Sequence, residues 1–401
     1  MVPDVGKIRQ AILISHYMEG WWQEILQVSW AAFGAALLWQ FYYLLRYWAV
    51  VLWSRDPWSR AGSTVLLVPG QGSAHGETKP VSLVIAARNE EEQLRRNIPL
   101  WMAQDHPDYE VIVVNDCSWD QTAAVLREFA EIYPRLRIVT VEEQDKYPTG
   151  KKFALTLGIK AAQHSFLVFT DADCRPAHES WLSHLQHRYR PETELVIGHV
   201  RLETRGGLLG WLQQADHLFT SLQCYGHAIL GQAFMGRGGN LSYLRNLFFY
   251  HKGFSVHLKH ISGDDGLFVN QAATRTNTGL SLHPESWTIT RAPERWSAWF
   301  AQKRRHLSSS HYLKWHIKLR TTVYGITLWI LMLWPLVALK HPLWYSLPVA
   351  SYFLVRWILL GWASVRFKVG WMIPLWPLLD PVHLMLRTFW LFLSGTGKGR
   401  W

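Results

Sequence analysis

Long apolar segments lie near both ends of the chain, and between them short apolar runs alternate with mixed segments. Residues 26–53 contain one charged side chain, Arg46, and carry Trp and Tyr near both ends of the segment. Such a segment is long enough to cross hydrocarbon about 30 Å thick. A signal peptide is the alternative, but the run is too long and shows no small-residue cleavage site. We therefore predict that residues 1–53 hold a retained transmembrane helix at about 26–53.

Three further apolar segments lie in the C-terminal region 321–401, and they differ in regularity. Residues 323–339 and 344–363 each predict a membrane span. Residues 371–393 are also apolar but include three prolines and Asp380, so a broken helix, a re-entrant segment and a helix lying in the interface all remain open. We therefore expect two to three membrane segments in this region.

Basic residues indicate the orientation of the chain in the membrane. They are concentrated just before the first C-terminal span, at Lys303, Arg304, Arg305, Lys314, Lys318 and Arg320. Because basic residues beside a span favour the cytoplasmic side, the preceding domain is predicted to be cytoplasmic. Residues 291–320 also repeat Trp, Phe and Leu at helical spacing, which predicts an amphipathic helix on the membrane surface.

Residues 81–290 show the pattern of a soluble α/β domain. Four short runs are apolar on both faces and rich in β-branched residues, as in strands buried between helices, at 82–87, 111–115, 137–141 and 166–170. Helical segments alternate with them, at 90–101, 119–132 and 153–162. This alternation predicts a mostly parallel sheet with right-handed crossovers. The Gly- and Pro-rich residues 54–80 are predicted to be a linker.

Composition narrows the class of protein further. Hydrophobic residues make up 49% of the chain and charged residues 18%, which excludes disordered and collagen-like chains. Three Cys in 401 residues cannot form a disulfide framework. The formal charge of +11 favours an acidic partner. Because the basic residues cluster beside a membrane span, we expect a membrane surface or a phosphorylated substrate as that partner, and no nucleic acid.

Polar side chains follow three of the four predicted strands at the point where each strand ends. They are Arg88, Asn89 and Glu90, then Asn115 and Asp116, then Asp171 and Asp173. Ligands of an open α/β sheet bind beyond the carboxyl ends of its strands, so these side chains predict a nucleotide-type site. The D-x-D pair suits Mg²⁺ or Mn²⁺, which bind carboxylates together with substrate phosphates. A solvated turn is the alternative interpretation of this pair.

Two other features invite a functional interpretation. His184 and His187 lie three residues apart on a predicted helix, but spacing supplies no third metal ligand, and we interpret both as surface residues. Arg356 lies inside a predicted span, where charges are costly and often functional. It could extend toward the nearer interface or contact a lipid acceptor, with Asp380 as a possible partner.

Five ordered motifs and a terminal one resemble those of family 2 glycosyltransferases with a GT-A fold, in the membrane-anchored form that includes cellulose, chitin and hyaluronan synthases. The resemblance covers roughly residues 80–320. Its motifs are AARNEE (86–91), NDCSWD (115–120), GKKFAL (150–155), DADC (171–174), GDDG (263–266) and QKRRH (302–306). It implies a Rossmann-like GT-A domain, a nucleotide-sugar donor and a divalent cation.

The resemblance also implies roles for single residues. Asp265 would be the general base that deprotonates the acceptor, Asp264 would orient the acceptor, and Arg305 would face the leaving diphosphate. The implied donor-binding residues are Ala87, Asn89, Glu90, Asp116, Lys151, Asp171, Gln302 and Arg305. The implied metal ligands are Asp171 and Asp173, and the implied acceptor-side residues are Gly238, Gly239, Asn240 and His306. Considered alone, GDDG could be a solvated turn, and the glycines at 238 and 239 could be a helix-start turn.

Two departures from the family pattern bear on function. His306 stands where the family has Trp, which weakens aromatic stacking against the acceptor and puts processivity in doubt. Asn115 stands where many synthases have Asp. We therefore expect an integral membrane, inverting, metal-dependent glycosyltransferase with a cytoplasmic active site, a UDP-sugar donor by family habit, and a lipid or membrane-associated glycan acceptor. The alternatives are a processive polysaccharide synthase and a catalytically silent nucleotide-sugar-binding partner of another synthase.

Overall fold

The structure is a computed structural model that describes residues 5–54, 79–142, 150–255, 263–338 and 346–394. Nearly all of the predicted linker, the residues between the two predicted C-terminal spans, and residues 395–401 lie outside these ranges. The chain divides into two compact units. One combines Met1–Leu45 with Leu319–Ile358, and the other combines Arg46–Lys318 with Leu359–Trp401.

The described helices, in chain order, are α1 (Val5–Trp53), α2 (Glu91–Met102), α3 (Thr122–Ile132), α4 (Lys151–Ala161), α5 (Trp181–Gln186), α6 (Gly207–Ile229), α7 (Arg245–Tyr250), α8 (Asp264–Ala272), α9 (Trp296–Ser308), α10 (Trp315–Ala338), α11 (Leu347–Arg366) and α12 (Trp376–Ser394). The described strands are β1 (Val81–Ala87), β2 (Tyr109–Asp116), β3 (Leu136–Val141), β4 (Phe166–Phe169), β5 (Arg175–Pro176), β6 (Leu195–Gly198), β7 (Val200–Glu203), β8 (Leu241–Leu244), β9 (Thr278–Ser281) and β10 (Thr288–Arg291).

The larger sheet of the second unit has the strand order β3-β2-β1-β4-β8-β6-β9 among the described strands. The first four strands in this order are parallel to one another, whereas β8 is antiparallel to both of its neighbours. Every residue of β2 is buried, and so are all but one of β1, because helices cover both faces. This mostly parallel sheet confirms the predicted fold class and aligns the ends of β1, β2 and β4 at one edge.

Close packing fixes the helix α4 on this sheet. A Cβ atom at Gly158 would stand 2.5 Å from Val84 Cγ1 and 3.0 Å from Val114 Cγ2, so a larger residue at 158 would push the helix away. Trp101 and Trp181 are fully buried in the core on the other helices of the domain. Truncating a buried Trp to Ala costs about 3–5 kcal/mol of folding free energy. The core therefore holds the strand ends in a fixed arrangement.

A smaller sheet with the order β5-β10-β7 lies in the later part of the same unit. The strand β10 is antiparallel to the two-residue β5 and parallel to β7. These strands were not predicted, because they have two to four residues that mix polar with apolar side chains and so show no clear hydrophobic period. They connect the segment that follows D-x-D to the segment that precedes α9.

The helix α9 is shorter than the predicted amphipathic segment, and it packs against the C-terminal helix α12. Trp390 lies 5.7 Å from Trp299 and 4.6 Å from Phe300, measured between ring centroids. The third C-terminal segment is interrupted, since a 3₁₀ helix at Gly370–Leu375 precedes α12. The segment is therefore not one continuous α-helix.

Three of the described helices contain segments long and apolar enough to cross a membrane, namely Ser29–Trp53, Trp315–Leu336 and Leu347–Arg366. Within the first unit, Gln40 Nε2 donates to the Tyr324 carbonyl and to Thr327 Oγ1, each at 2.8 Å. Tyr352 Oη donates to Gln40 Oε1 at 2.8 Å, and Arg356 Nη1 donates to Tyr324 Oη at 3.2 Å. Arg356 is only 1% exposed, so it lies among these polar groups and does not extend outward.

Candidate functional site

The loops that follow β1 and β2 are joined by side chain to backbone hydrogen bonds. The Asn89 N–H donates to Ser118 Oγ, and Asn89 Oδ1 accepts from the Trp119 N–H, both at 3.0 Å. The Glu90 N–H donates to Thr122 Oγ1 at 2.9 Å. Asn89 has a positive φ of 57°, a conformation that Asn adopts more readily than most residues. The Asn89 side chain therefore holds the two loops together.

Asp116 closes the strand β2 and is buried, with 3% of its surface exposed. Burial raises the pKa of its carboxyl, although the Arg88 charge and the Gly150 N–H both act to lower it. Ala87 is buried at the end of β1 and pairs with Asn115 in the sheet register. Ala87 can therefore meet a ligand through its backbone, while Asp116 and Arg88 provide opposite charges at the same edge.

The ammonium group of Lys151 lies close to both the D-x-D segment and Asp265, the predicted general base. Its Nζ lies 2.5 Å from Asp171 Oδ1 and 3.7 Å from Asp265 Oδ2. It is the first residue of α4 and follows Gly150, whose φ of +132° is accessible mainly to glycine. The start of α4, the end of β4 and the start of α8 therefore meet at one point, although the three carboxylate and ammonium groups are up to 114 positions apart in sequence.

Gly238 and Gly239 lie between the two acidic segments. A Cβ atom at 238 would overlap Asp265 Oδ2 and stand 2.7 Å from Asp265 Cγ. A Cβ atom at 239 would stand 2.8 Å from Cys174 Sγ and 3.5 Å from Asp171 Oδ2. A larger residue at 238 would displace the Asp265 carboxylate, and one at 239 would displace the Cys174 sulfur. The segment is therefore more than a helix-start turn, because it forms a wall of the acidic site.

Asn240 does not face the site. It is fully buried, and its Nδ2 donates to the carbonyls of His199 and Ser286, each at 2.8 Å, while its Oδ1 accepts from Trp181 Nε1 at 3.1 Å. These three bonds occupy both ends of the amide. The expected acceptor contact by the Asn240 side chain disagrees with this geometry, and the residue instead holds the glycine segment from behind.

The acidic residues at the strand ends form a compact cluster with metal-ligating potential. The ligand atoms of Asp171, Asp173 and Cys174 lie within 4.8 Å of one another. Burial and the charges of Asp173, Asp171 and Asp120, in that order, raise the pKa of Glu90 to about 7. Concentrated negative charge of this kind is what a bound cation would offset.

The chemistry of these donors favours a hard cation. Burial raises the pKa of the Cys174 thiol well above its usual range, so the sulfur stays protonated and is a poor ligand. Thr290 Oγ1 donates to Asp173 Oδ2 at 3.0 Å, which orients that carboxylate. Carboxylate oxygens are the ligands that Mg²⁺ and Mn²⁺ prefer, so the residues present fit the predicted ions.

The helix α9 carries the predicted residues Gln302, Arg305 and His306. Its C-terminal end lies close to the start of α8, since a Cβ atom at Gly263 would stand 2.6 Å from Ser309 Cβ. Arg305 and His306 are exposed, and Gln302 is half-buried. The described contacts bring this helix end to the Asp265 helix. The side chain of Asp264, the first residue of α8, lies outside the description.

An ion cluster that the sequence does not reveal holds α9 in place. Lys303 forms an ion pair with Asp216 on α6, and His383 Nε2 on α12 lies 3.5 Å from Asp216 Oδ1. Burial alone would raise the pKa of Asp216, but the Lys303 charge and the His383 contact outweigh it and hold the pKa well below its usual range. The three partners are separated by 87 and 80 positions, so no local pattern could identify them.

Known proteins resemble this chain in sequence and in fold. Residues 82–259 match the family described as glycosyl transferase family 2. Glycosyltransferase AglE of Haloferax volcanii is 28% identical over 258 residues, covering 63% of this chain and 80% of its own length. A poly-beta-1,6-N-acetyl-D-glucosamine synthase of Staphylococcus epidermidis is 26% identical over 146 residues, which is 36% of this chain and about a third (34%) of that synthase.

A solved structure extends the similarity to the fold of nearly the whole chain. The mannosyltransferase PcManGT of Pyrobaculum calidifontis, solved in complex with GDP-mannose and Mn²⁺, superposes with a TM-score of 0.51 at 18% sequence identity. The match covers 90% of this chain and 98% of that protein. The mostly parallel sheet, with the acidic strand ends at one edge, is accordingly a GT-A fold.

Proposed function

Because this chain carries a family 2 glycosyltransferase domain and is a glycosyltransferase, we propose that it transfers a sugar with inversion from a nucleotide-sugar donor to a lipid or membrane-associated glycan. A UDP-sugar is the donor we propose, and Mg²⁺ or Mn²⁺ is the proposed cation. The observation that carries the proposal is the position of Lys151, whose ammonium lies between Asp171 at the end of β4 and Asp265 on α8.

Asp265 is the proposed general base. Its side chain is 13% exposed, packs against Gly238, and lies within 3.7 Å of the Lys151 ammonium. A carboxylate in this position can accept the proton of an acceptor hydroxyl as the oxygen attacks the anomeric carbon. Attack from the side opposite the leaving diphosphate inverts the configuration at that carbon. Asp264, which precedes the base, is proposed to orient the acceptor.

The leaving diphosphate needs positive charge close to the D-x-D segment. Asp171 and Asp173 are proposed to hold the cation, with Glu90 beside them. When bound, the cation supplies Lewis-acid stabilisation of the diphosphate. Lys151 supplies a fixed ammonium at the same place, and Arg305 offers a guanidinium that can bind phosphate oxygens in a bidentate manner. Asp116 is proposed to read the base of the nucleotide.

The acceptor side of the proposal depends on the membrane segments. Three helices of the described structure are long and apolar enough to span a bilayer, and α9 adds exposed basic residues to an aromatic face. A helix of this kind binds at the surface of an anionic membrane. We propose that the active site works at the cytoplasmic surface, where a lipid-linked acceptor reaches Asp265 beside Gly238 and His306.

Donor turnover tests the proposal directly. Purified protein in nanodiscs, with Mn²⁺ or Mg²⁺ and membrane lipid extract, is incubated with a panel of nucleotide sugars, and free nucleoside diphosphate is measured. We expect one donor to turn over, and Asp265→Asn to lower the rate by about 10³-fold because the general base is lost. Donor affinity should change little in this variant, since Asp265 is assigned to the acceptor.

The matched control is Asp108→Asn, an exposed carboxylate in the loop before β2, at the opposite edge of the sheet. It should leave the rate unchanged. Donor binding without turnover in wild type and in Asp265→Asn alike would favour the silent nucleotide-sugar-binding partner. If no donor binds, the assignments of Asp116, Asp171 and Asp173 are wrong.

A further inference from the structure

A second cluster of metal-ligating side chains lies outside the proposed catalytic site. It consists of His184 on α5, His283 and Glu285, whose ligand atoms lie within 4.8 Å of one another. His184 is 7% exposed, which corrects the sequence-based interpretation of this residue as a surface histidine, whereas His187 is exposed as expected. The third ligand that spacing could not supply comes from a segment about 100 residues away.

The hydrogen bonds of His184 define how it can bind a metal ion. Its Nδ1 lies 3.0 Å from the Ser180 carbonyl oxygen, and a carbonyl only accepts hydrogen bonds, so Nδ1 carries the proton. The neutral ring then presents the Nε2 lone pair, and Nε2 lies 3.6 Å from Glu285 Oε2. Metal-binding histidines typically donate their other N–H to a carbonyl or carboxylate in this manner.

The other two side chains of the cluster lie beside His184. The His283 ring is parallel to that of His184, with ring centroids 4.9 Å apart and an interplanar angle of 5°. Ser180 Oγ donates to Glu285 Oε2 at 3.3 Å, which orients the carboxylate. Two imidazoles and one carboxylate form a ligand set that binds Zn²⁺ in proteins and leaves a fourth position for water.

An open cavity of about 410 Å³ gives access to this cluster, and its lining includes His178, His283, Glu285, Arg201 and Lys368. Arg201 and Lys368 are positively charged and repel a cation, so electrostatic attraction alone would not hold one here. Retention of a cation here therefore depends on coordinate bonds to imidazole. Imidazole nitrogen favours borderline-soft ions such as Zn²⁺ over Mg²⁺.

We propose that His184, His283 and Glu285 bind one borderline-soft divalent cation of the Zn²⁺ type. The ion connects α5 to the turn at Pro284–Ser286 that leads into β10. The same two segments are already joined through Asn240, which accepts from Trp181 and donates to the Ser286 carbonyl. The bound ion thus stabilises the support of the glycine segment beside Asp265, and it does so whether or not the proposed transfer reaction occurs.

Cobalt spectroscopy tests the site separately from catalysis. The full chain, with any affinity tag removed, is purified in detergent, stripped of metal with a chelator, and titrated with Co²⁺ without donor. An Asp171→Asn/Asp173→Asn background removes the acidic site. We expect one Co²⁺ per chain with visible d–d absorption of a four- or five-coordinate site, displaced by one equivalent of Zn²⁺ and not by millimolar Mg²⁺.

Two ligand variants and one control test which side chains bind the ion. Glu285→Gln and His283→Asn should each weaken Co²⁺ and Zn²⁺ binding by about 100-fold or more, because each removes a coordinate bond. His187→Asn, an exposed histidine just after α5, is the matched control and should bind as the background protein does. The Co²⁺ d–d absorption of the Asp171→Asn/Asp173→Asn background protein tests the site even if a ligand variant fails to fold.

Two results would overturn the proposal. One is the absence of d–d absorption and of retained Zn²⁺ at micromolar concentrations in the background protein. The other is equal binding in folded Glu285→Gln and His283→Asn. Either would mean that His184 and Glu285 form only a hydrogen-bonded or ionic pair. Turnover of a donor would be unaffected by both results, so the proposed function stands or falls by its own test.

Discussion

The two clusters of metal-ligating side chains in this domain lie close along the chain, at 171–174 and at 184, yet they differ in chemistry. The first offers carboxylate oxygens at a strand end, beside the Lys151 ammonium and beneath the Asp265 helix. The second offers two imidazoles and a carboxylate on a short helix and a turn. Oxygen ligands suit a hard ion that arrives with a phosphate substrate, whereas imidazole suits an ion that stays bound. We therefore propose that one domain provides places for an exchanging and for a resident cation.

A single segment connects the two clusters. Gly239 lies against Cys174 and Asp171 on the acidic side, while the next residue, Asn240, donates to the Ser286 carbonyl next to Glu285. The comparison thus predicts that changes at the acidic cluster affect chemistry, and that changes at the imidazole cluster affect stability. Variants that change turnover without changing stability, or the reverse, test this prediction.

Among the variants that compare the two clusters, Asp173→Asn has the largest expected effect. It removes one of the two proposed metal carboxylates while keeping the size of the side chain. We expect turnover of the donor at saturating Mn²⁺ to fall by about 10²–10³-fold, because stabilisation of the leaving diphosphate is weakened. Nucleoside diphosphate release measures the effect.

The Zn²⁺ content of the same variant tests whether the two clusters act independently. The Asp173→Asn variant should retain its equivalent of Zn²⁺ by elemental analysis, since none of the three proposed zinc ligands has changed. Loss of Zn²⁺ together with turnover would show that the two clusters are not independent, and it would remove the distinction drawn between them.

Gly238→Ala is expected to have the next largest effect. The new methyl group would overlap Asp265 Oδ2 and force the carboxylate or the glycine segment to move. We expect turnover to fall by about 100-fold, since a displacement of about 1 Å is enough for such a loss. The matched control is Gly206→Ala, because Gly206 has a negative φ and no atom within 4 Å of the position of its added Cβ. Equal turnover in both variants would contradict the assignment of Asp265.

The part of the fold that contains β1 to β4 could be predicted from sequence because β1 and β2 are buried on both faces. The predicted strand at 82–87 and the observed β1 at Val81–Ala87 differ by one residue, and the predicted run 111–115 lies inside β2. Continuous β-branched runs of this kind have few alternative structures. The ends of these strands determine which polar residues share an edge of the sheet, so the sequence predicts that Asp116 and Asp171 lie at the same edge.

The part of the domain after β4 could not be predicted in the same way. Its strands β5 to β10 have two to four residues each, and pairings such as β6 with β9 join positions about 80 residues apart. The partnership of His184 with Glu285 and the burial of Asn240 depend on those pairings. Asn240 was assigned to the acceptor side because the family resemblance implies that its segment contacts the acceptor, and only tertiary structure shows its amide turned to the opposite side.

The smallest expected effect is a change in the stability of the fold. It depends on the negative charge of the acidic cluster and can be measured without substrate. The pKa of Glu90 is raised from 4.5 to about 7 by burial and by the charges of Asp173, Asp171 and Asp120. Below pH 4.5 the carboxyl is protonated in both folded and unfolded chains, so its raised pKa costs no stability there. As pH rises from 4.5 to 7 the unfolded chain loses the proton first, so the stability of the fold decreases, and above pH 7 the full cost remains.

Glu90→Gln removes this cost by keeping the side chain neutral at every pH. We expect its Tm, measured by thermal unfolding in detergent, to exceed that of wild type by about 2–4 °C at pH 8 and to equal it at pH 4.5. Mn²⁺ should reduce the difference at pH 8, because a cation beside Asp171 and Asp173 offsets the repulsion that Glu90 experiences, whereas Zn²⁺ confined to the imidazole cluster should leave it unchanged. Glu131→Gln, an exposed carboxylate on α3, is the control and should show no pH-dependent difference. A Tm difference that persists undiminished in saturating Mn²⁺ would mean that the strand-end carboxylates do not hold the ion. The proposed distinction between an exchanging cation at the acidic cluster and a resident cation at the imidazole cluster would then be wrong.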